Sequence, residues 1–399
     1  MDRIVIVGAG QAGCQLAATL RAEGFEGALT LIGEEPHAPY QRPPLSKAYL
    51  LGELDRERLH LRPARFYEEK EVALRLGASV EAIDARERTV TVGGEALDWD
   101  ALALCTGAAA VRLPRRCTGG LEGVHVLRSS ADADALGPEI AEGRRLLVVG
   151  GGYIGLEVAA VAAKRGMHVT IVEMRHRILN RVAAEETSDW FRALHRSHGV
   201  EVLEGVGLDT LLGGGRATAA RLTDGREIPV DVVVAGVGAR PATELAEAAG
   251  IACDDGIVVD AFGRSSVDGI WAAGDCASLP SGEGRIRLES VQNAIDGAEA
   301  VARGMLGSDE PYVPRPWFWS DQYDVKLQIA GLGGGSDRVA VRASGAGRSH
   351  WYYDGARLVA VDAMNAPRDY MVGKRLIEAG RSPEPGAVEA AADLKALLA

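Results

Sequence analysis

No Cys-x-x-Cys pair occurs anywhere in the 399 residues, so the thiol relay of a dithiol oxidoreductase is missing. The five cysteines, Cys14, Cys105, Cys117, Cys253 and Cys276, are odd in number and scattered. That usage fits reduced thiols and not a disulfide framework. No apolar run approaches the ~18–20 residues of a spanning helix. The opening Met1-Asp2-Arg3 shows no charged n-region followed by an apolar segment and a small-residue cleavage site. The cytoplasm is therefore the expected location, without membrane contact. Basic charge is in deficit: 44 Lys+Arg against 56 Asp+Glu leave a net −12, which argues against a nucleic-acid binder. No metal site is expected.

Glycine, by contrast, is abundant at 50 residues, consistent with tight turns and close backbone approaches to ligands. Length allows two or three domains. Two glycine clusters stand about 140 residues apart, each straight after an apolar run. Gly8-Ala9-Gly10-Gln11-Ala12-Gly13 follows Ile4 to Val7, and Gly150-Gly151-Gly152-Tyr153-Ile154-Gly155 follows Leu146 to Val149. The spacing predicts strand (4–7), turn, helix (11–23) and strand (28–32), then a repeat as strand (145–149), turn, helix (155–165) and strand (168–173). Each is a β-α-β unit on a parallel sheet. In such a fingerprint the first glycine makes the turn, the second lets the backbone approach a pyrophosphate, and the third lets helix and strand pack closely. The helix N-terminus adds N–H donors and a positive dipole end.

An acidic residue after the second strand holds a ribose hydroxyl. Glu34 and Glu35 lie there in the first unit and Glu173 in the second. A carboxylate at 173 accepts the ribose hydroxyls of NAD and repels the extra phosphate of NADP, by roughly 1–4 kcal/mol at ~4 Å. Arg175, His176 and Arg177 just downstream could attract that phosphate. NADH is expected in preference to NADPH.

Residues 268–278 read as a further strand running into a turn. From Met305 to Pro316 the composition shifts to Pro, Gly and acidic residues, a domain boundary. Beyond it, 325–332, 338–343 and 349–364 alternate like strands, with Asp354-Gly355 as a hairpin signal, and a helix is expected over 367–378. The fold class is α/β: two Rossmann-like, dinucleotide-binding domains plus a small α+β C-terminal domain.

Further motifs carry a family likeness. The run Arg42-Pro43-Pro44-Leu45-Ser46-Lys47-Ala48-Tyr49-Leu50 resembles the hallmark of FAD-dependent NAD(P)H:ferredoxin reductases of oxygenase systems, the putidaredoxin reductase-like branch of the glutathione-reductase-type flavoproteins. Gly236-Val237-Gly238-Ala239-Arg240-Pro241, Gly274-Asp275 and Trp317-Phe318-Trp319-Ser320-Asp321-Gln322-Tyr323 are similar to other stretches of that family. The likeness covers nearly the whole chain. Cys105 in Leu104-Cys105-Thr106-Gly107 stands where the family has alanine, and reads as a small buried apolar residue.

The resemblance implies an FAD-binding domain over 1–112 and 242–312, an NAD-binding domain over 113–241 and a reductase domain over 313–399. It implies FAD contacts from Gly8, Gly10, Ala12, Gly13, Glu34 or Glu35, Arg42, Lys47, Val80, Arg128, Asp275 and Val291. NAD contacts fall to Gly150, Gly152, Ile154, Gly155, Glu173, Gly238 and Glu289. Lys47 is placed near the flavin atom that receives hydride, and Glu157 resembles the glutamate that pairs with it. Tyr153 resembles a gate beside the flavin, and Trp319 a tryptophan near the nicotinamide. The implied partner is a [2Fe-2S] ferredoxin, bound transiently, that supplies a haem monooxygenase or Rieske oxygenase. Docking an acidic ferredoxin on an acidic chain calls for a local basic patch, for which Arg58, Arg62, Arg65 and Lys326 are candidates. A monomer or weak homodimer is expected. The alternative reading is an NADH oxidase or an NADH-responsive flavoprotein like apoptosis-inducing factor.

Overall fold

The computed structural model describes residues 1–282 and 284–398, which form two compact units. The first is built from residues 1–41, 56–109 and 239–316, the second from 42–55, 110–238 and 317–399.

In the first unit a parallel sheet runs in the order Ile270–Ala272, Ala101–Leu104, Arg3–Val7, Ala28–Gly33, Val72–Leu76. The central strand is buried on both faces, as parallel strands are. Ile4 and Ile6 point into a core with Leu16, Leu20, Ala298 and Ala302, from the helices Gln11–Ala22 and Val291–Met305. Val5 and Val7 point the other way, toward Val90, Trp99 and Ile257. That second face is covered in part by the antiparallel strands Val80–Asp84, Thr89–Val92 and Glu95–Asp98. The stretch 268–278, expected as a strand running into a turn, is strand Ile270–Ala272 and a turn at Gly274 with φ +83°, after which a second short strand, Ala277–Ser281, begins.

In the second unit the pattern repeats. A parallel sheet runs Glu201–Glu204, His168–Glu173, Arg145–Val149, Val232–Ala235, Val124–His125. Leu147, Val149 and Val233 pack on Leu211, Ala220 and Leu222 from a small antiparallel sheet. The fingerprint helix is Tyr153–Lys164; it starts two residues before the glycine from which periodicity alone reads it. The same unit holds a five-stranded antiparallel sheet in the order Trp317–Gln322, Val325–Gly331, Arg357–Met364, Gly347–Asp354, Arg338–Ser344. Helix Pro367–Glu378 packs on it through Val372 and Leu376, against Trp351, Leu358 and Val361. The hairpin falls where Asp354-Gly355 announces it, with Gly355 at φ +56°. Among the described residues no helix is long and apolar enough to cross a membrane.

Candidate functional site

At the first fingerprint, the outer glycines are fixed by backbone crowding. Gly8 sits at φ +112°, and a Cβ on it would fall 2.1 Å from the Cys105 carbonyl oxygen. A Cβ on Gly13 would lie 2.0 Å from the Gly8 carbonyl oxygen. The middle glycine differs: Gly10 precedes helix Gln11–Ala22 in extended conformation, and a Cβ there would meet nothing within 4 Å. Ahead of a helix whose first N–H groups lack intrahelical partners, that open space is where a pyrophosphate fits. Gly274 presses close to the helix's first turn, since a Cβ on it would come 2.9 Å from Cβ of Ala12. That brings the turn carrying Asp275 to the expected phosphate site. Beyond strand Ala28–Gly33, Glu34 is exposed and Glu35 accepts the Tyr40 hydroxyl at 2.5 Å. Val80 and Val291 open a strand and a helix of the same unit, half-buried. Glu289, expected on NAD, lies in this first unit, paired with Arg287.

The second fingerprint reproduces this geometry. Gly150 sits at φ +106°, with its Cβ position 2.4 Å from the Gly236 carbonyl oxygen, and that of Gly155 is 2.4 Å from the Gly150 carbonyl oxygen. Gly152 has room, its nearest neighbour 4.0 Å away. Glu173 ends its strand braced, one oxygen accepting from Gly151 N–H and the other from Arg175 N–H, both at 2.8 Å. Of the basic residues that follow, Arg177 donates to the Ser188 hydroxyl at 2.6 Å, while Arg175 and His176 are exposed. Ile154, Met174 and Val237 are exposed hydrophobics at 46%, 76% and 41%, each beside the carboxyl end of a sheet strand, and Gly238 follows at φ +112°. Apolar surface left open at that edge suits a planar ligand. Met174 had no motif to mark it, and Val237 lies within the 236–241 run without having been singled out there.

Within the second unit the structure brings Lys47 and Glu157 together. Pro43–Ser46 form a 3-10 turn, for which proline at the first positions is pre-set, and Lys47 caps it. Its Nζ stands 2.7 Å from Glu157 Oε2 and donates to the Pro43 carbonyl at 3.2 Å. The same Oε2 accepts the Ser46 hydroxyl at 2.5 Å, and Oε1 accepts the Ser320 hydroxyl at 2.7 Å. The Glu157 side chain is 5% exposed. A buried carboxylate is tolerated only when paired and hydrogen-bonded, and this one is held by a cation and two hydroxyls. Ser46 and Ser320 each sit one residue from a predicted position, yet sequence reasoning passed over both.

Beside this group, Tyr153 packs on Phe318 at 4.8 Å between ring centres, and Trp319 lies 5.5 Å from Trp317. Burial pushes the Tyr153 hydroxyl well above its ordinary range, and it has no hydrogen-bond partner among the described residues. Arg42 donates to the Arg128 carbonyl at 2.8 Å, joining two more of the expected residues. Burial likewise pushes the Cys105 thiol up, and all five cysteines are free.

Residues 2–298 match the pyridine nucleotide-disulphide oxidoreductase model and residues 317–398 the reductase C-terminal model. The chain belongs to that oxidoreductase family, and is an FAD- and NAD(P)H-dependent member carrying the reductase C-terminal domain. It is 45% identical to a ferredoxin–NAD(P)(+) reductase of Sphingomonas sp., over 98% of this chain and 96% of that one. It is 42% identical to the rhodocoxin reductase of Rhodococcus erythropolis, over 99% and 94%. Its fold superposes on the reductase of a covalent putidaredoxin reductase–putidaredoxin complex with a TM-score of 0.95, at 38% identity, over 100% of this chain and 98% of that one.

Proposed function

We propose that the chain is an NADH-dependent ferredoxin reductase, passing electrons from NADH through FAD to a [2Fe-2S] ferredoxin that supplies an oxygenase. The observation that carries this is the buried Lys47–Glu157 pair, clamped by Ser46 and Ser320 beside the Tyr153 and Trp319 wall. FAD, when bound, takes two electrons from a reduced nicotinamide as hydride and gives them up singly. The protein's own part is electrostatic. Lys47 favours negative charge arriving on a reduced ring, and Glu157 favours the positive charge left on an oxidised one. Gly8, Gly10, Ala12, Gly13, Glu34 or Glu35, Arg42, Val80, Arg128, Asp275 and Val291 would hold FAD. Gly150, Gly152, Ile154, Gly155, Glu173, Gly238 and Glu289 would hold the nicotinamide nucleotide, with Glu173 favouring NADH. We divide the chain functionally into FAD-binding residues 1–112 and 242–312, NAD-binding residues 113–241 and a reductase domain over 313–399, acting in the cytoplasm. Arg58, Arg62 and Arg65, all exposed, would steer the ferredoxin; Lys326 is paired with Asp321 at 3.4 Å.

The test is anaerobic stopped-flow reduction by NADH and by NADPH, followed by cytochrome c reduction with and without a [2Fe-2S] ferredoxin. Rapid bleaching of the flavin by NADH and ferredoxin-dependent cytochrome c reduction are expected. A purified protein without flavin absorbance, or cytochrome c reduction indifferent to ferredoxin, overturns the reading.

A further inference from the structure

Behind Ser320 a line of buried hydrogen bonds runs away from Glu157. Gln322 Nε2 donates to Ser320 Oγ at 3.2 Å, Gln322 Oε1 meets His195 Nε2 at 2.8 Å, and His195 Nδ1 meets the Tyr323 hydroxyl at 3.1 Å. Ser320, Gln322 and His195 are each 1% exposed or less. The donors and acceptors admit one consistent direction. Glu157 can only accept, so Ser320 donates to it. Ser320 Oγ then accepts from the Gln322 amide, whose oxygen in turn accepts N–H from His195 Nε2. That tautomer leaves His195 Nδ1 to accept the tyrosine O–H. Every donor points toward the carboxylate, the arrangement in which successive bonds polarise one another. Burial lowers the His195 imidazole to about 4, so it stays neutral, as this direction requires.

A second observation comes from the backbone. Tyr323 lies at φ +58° in the tight turn joining Trp317–Gln322 to Val325–Gly331, a conformation that costs a bulky residue of the order of 1–3 kcal/mol. What offsets it is the hydroxyl contact to His195 and a ring stack on His198 at 3.7 Å. The turn therefore holds its tyrosine against the end of the chain of bonds.

We propose that Gln322, backed by His195 and Tyr323, is a positioning residue that keeps the Ser320 hydroxyl donating to Glu157, and so fixes the carboxylate beside Lys47 for reduction of the flavin. An amide between two hydrogen-bonding groups does not pass protons without tautomerising, so the line transmits orientation and not protons. The proposal rests on the reading that the Lys47–Glu157 pair belongs to the NADH-reactive site.

The test is anaerobic stopped-flow reduction of the FAD-loaded full chain by NADH, for Glu157→Gln, Ser320→Ala, Ser320→Thr, Gln322→Glu and the double variant S320A/Q322E. A carboxylate at 322 would accept the Ser320 proton and turn that hydroxyl away from Glu157. Loss of one hydrogen bond to a charged group is expected to lower the limiting rate about tenfold in S320A and Q322E, with little change in the NADH concentration for half-maximal rate. Ser320→Thr, which keeps the hydroxyl, is expected within about twofold of the parent. Because both changes act through one hydroxyl, the double variant is expected to be no slower than the slower single. Should Q322E not fold, judged by flavin content and melting temperature, Gln322→Met replaces it with the same expectation. Parent-like S320A alongside a slow E157Q, or single effects that multiply in the double, overturns the relay while leaving the proposed function standing. Parent-like rates in E157Q itself overturn the site reading.

Discussion

Replacing Lys47 by methionine is expected to cost the folded protein far more than a surface charge would. The ammonium and carboxylate stand 2.7 Å apart with side chains 18% and 5% exposed. Removing one partner of such a buried pair typically costs about 3–5 kcal/mol, because the other charge stays behind. Here the Ser46 and Ser320 hydroxyls remain on Glu157 and offset part of that, leaving about 2–4 kcal/mol. Glu157→Gln is expected to cost about 2–3 kcal/mol, since Lys47 keeps only the Pro43 carbonyl and the new amide oxygen. In K47M/E157Q no buried charge is left and the amide still bonds both serines, so stability is expected within about 1 kcal/mol of the parent. The assay is differential scanning calorimetry of all four proteins at neutral pH with FAD in fixed excess, so that ligand linkage is equal throughout. Drops of roughly 5–10 °C in the singles, largely restored in the double, are expected. Costs that simply add in the double, or a neutral K47M, would refute the claim that the pair is a desolvated unit.

Further outcomes can be checked. Gly8→Ala is expected to prevent folding, with its Cβ 2.1 Å from a carbonyl oxygen, whereas Gly10→Ala, whose Cβ meets nothing, should keep the circular dichroism of the parent and lose bound flavin. Glu173→Gln is expected to lower the NADH over NADPH ratio of kcat/KM about tenfold, a loss of ~1.4 kcal/mol of charge discrimination; an unchanged ratio would remove Glu173 as the selector. Acid stability carries opposed contributions. Burial holds His195 and His350 down at about 4, so their contribution is present above the unfolded value near 6.5 and lost as pH falls toward 4. Burial also raises Asp362 to about 6 despite the hydroxyls of Tyr352 and Thr187. Its contribution is full below about 4 and lost as pH rises through 6, an effect of about 3 kcal/mol. Asp362→Asn, which mimics the protonated carboxyl, should match the parent near pH 4 and exceed its stability at neutral pH in urea unfolding followed by tryptophan fluorescence; a variant no more stable than the parent at neutral pH would count against a raised Asp362.

Both glycine turns were legible because their constraint is local: φ near +110° and a carbonyl within 2.4 Å admit nothing but glycine at Gly8 and Gly150. The parallel sheets followed from apolar runs buried on both faces, and the C-terminal hairpins from alternation and Asp354-Gly355. The turn at Gly274 was read, but the short strand after it, Ala277–Ser281, was not, because the Pro280 within it argues against a strand. Lys47 and Glu157 could be named by resemblance, but their serine clamp could not, since neither hydroxyl has a pattern of its own. His195 was invisible for a stronger reason. It lies on the ordinary amphipathic helix Glu185–Ser197, and only a partner 127 residues away, Gln322, gives it a task.

The chain passes alternately between its two compact units, with 42–55 and 317–399 joining 110–238 in the second. Glu157 is therefore built in instalments during synthesis. Ser46 and Lys47 leave the ribosome before it, while Ser320 emerges 163 residues after it. Until then one carboxylate oxygen lacks its hydroxyl, and the strand that supplies Tyr153 with Phe318 does not exist. Contacts that close such long loops are the slow ones to form. Completion of the reactive pair's surroundings is thus a late event in synthesis, and a chain cut at residue 316 would retain both nucleotide fingerprints while leaving that pair half-dressed.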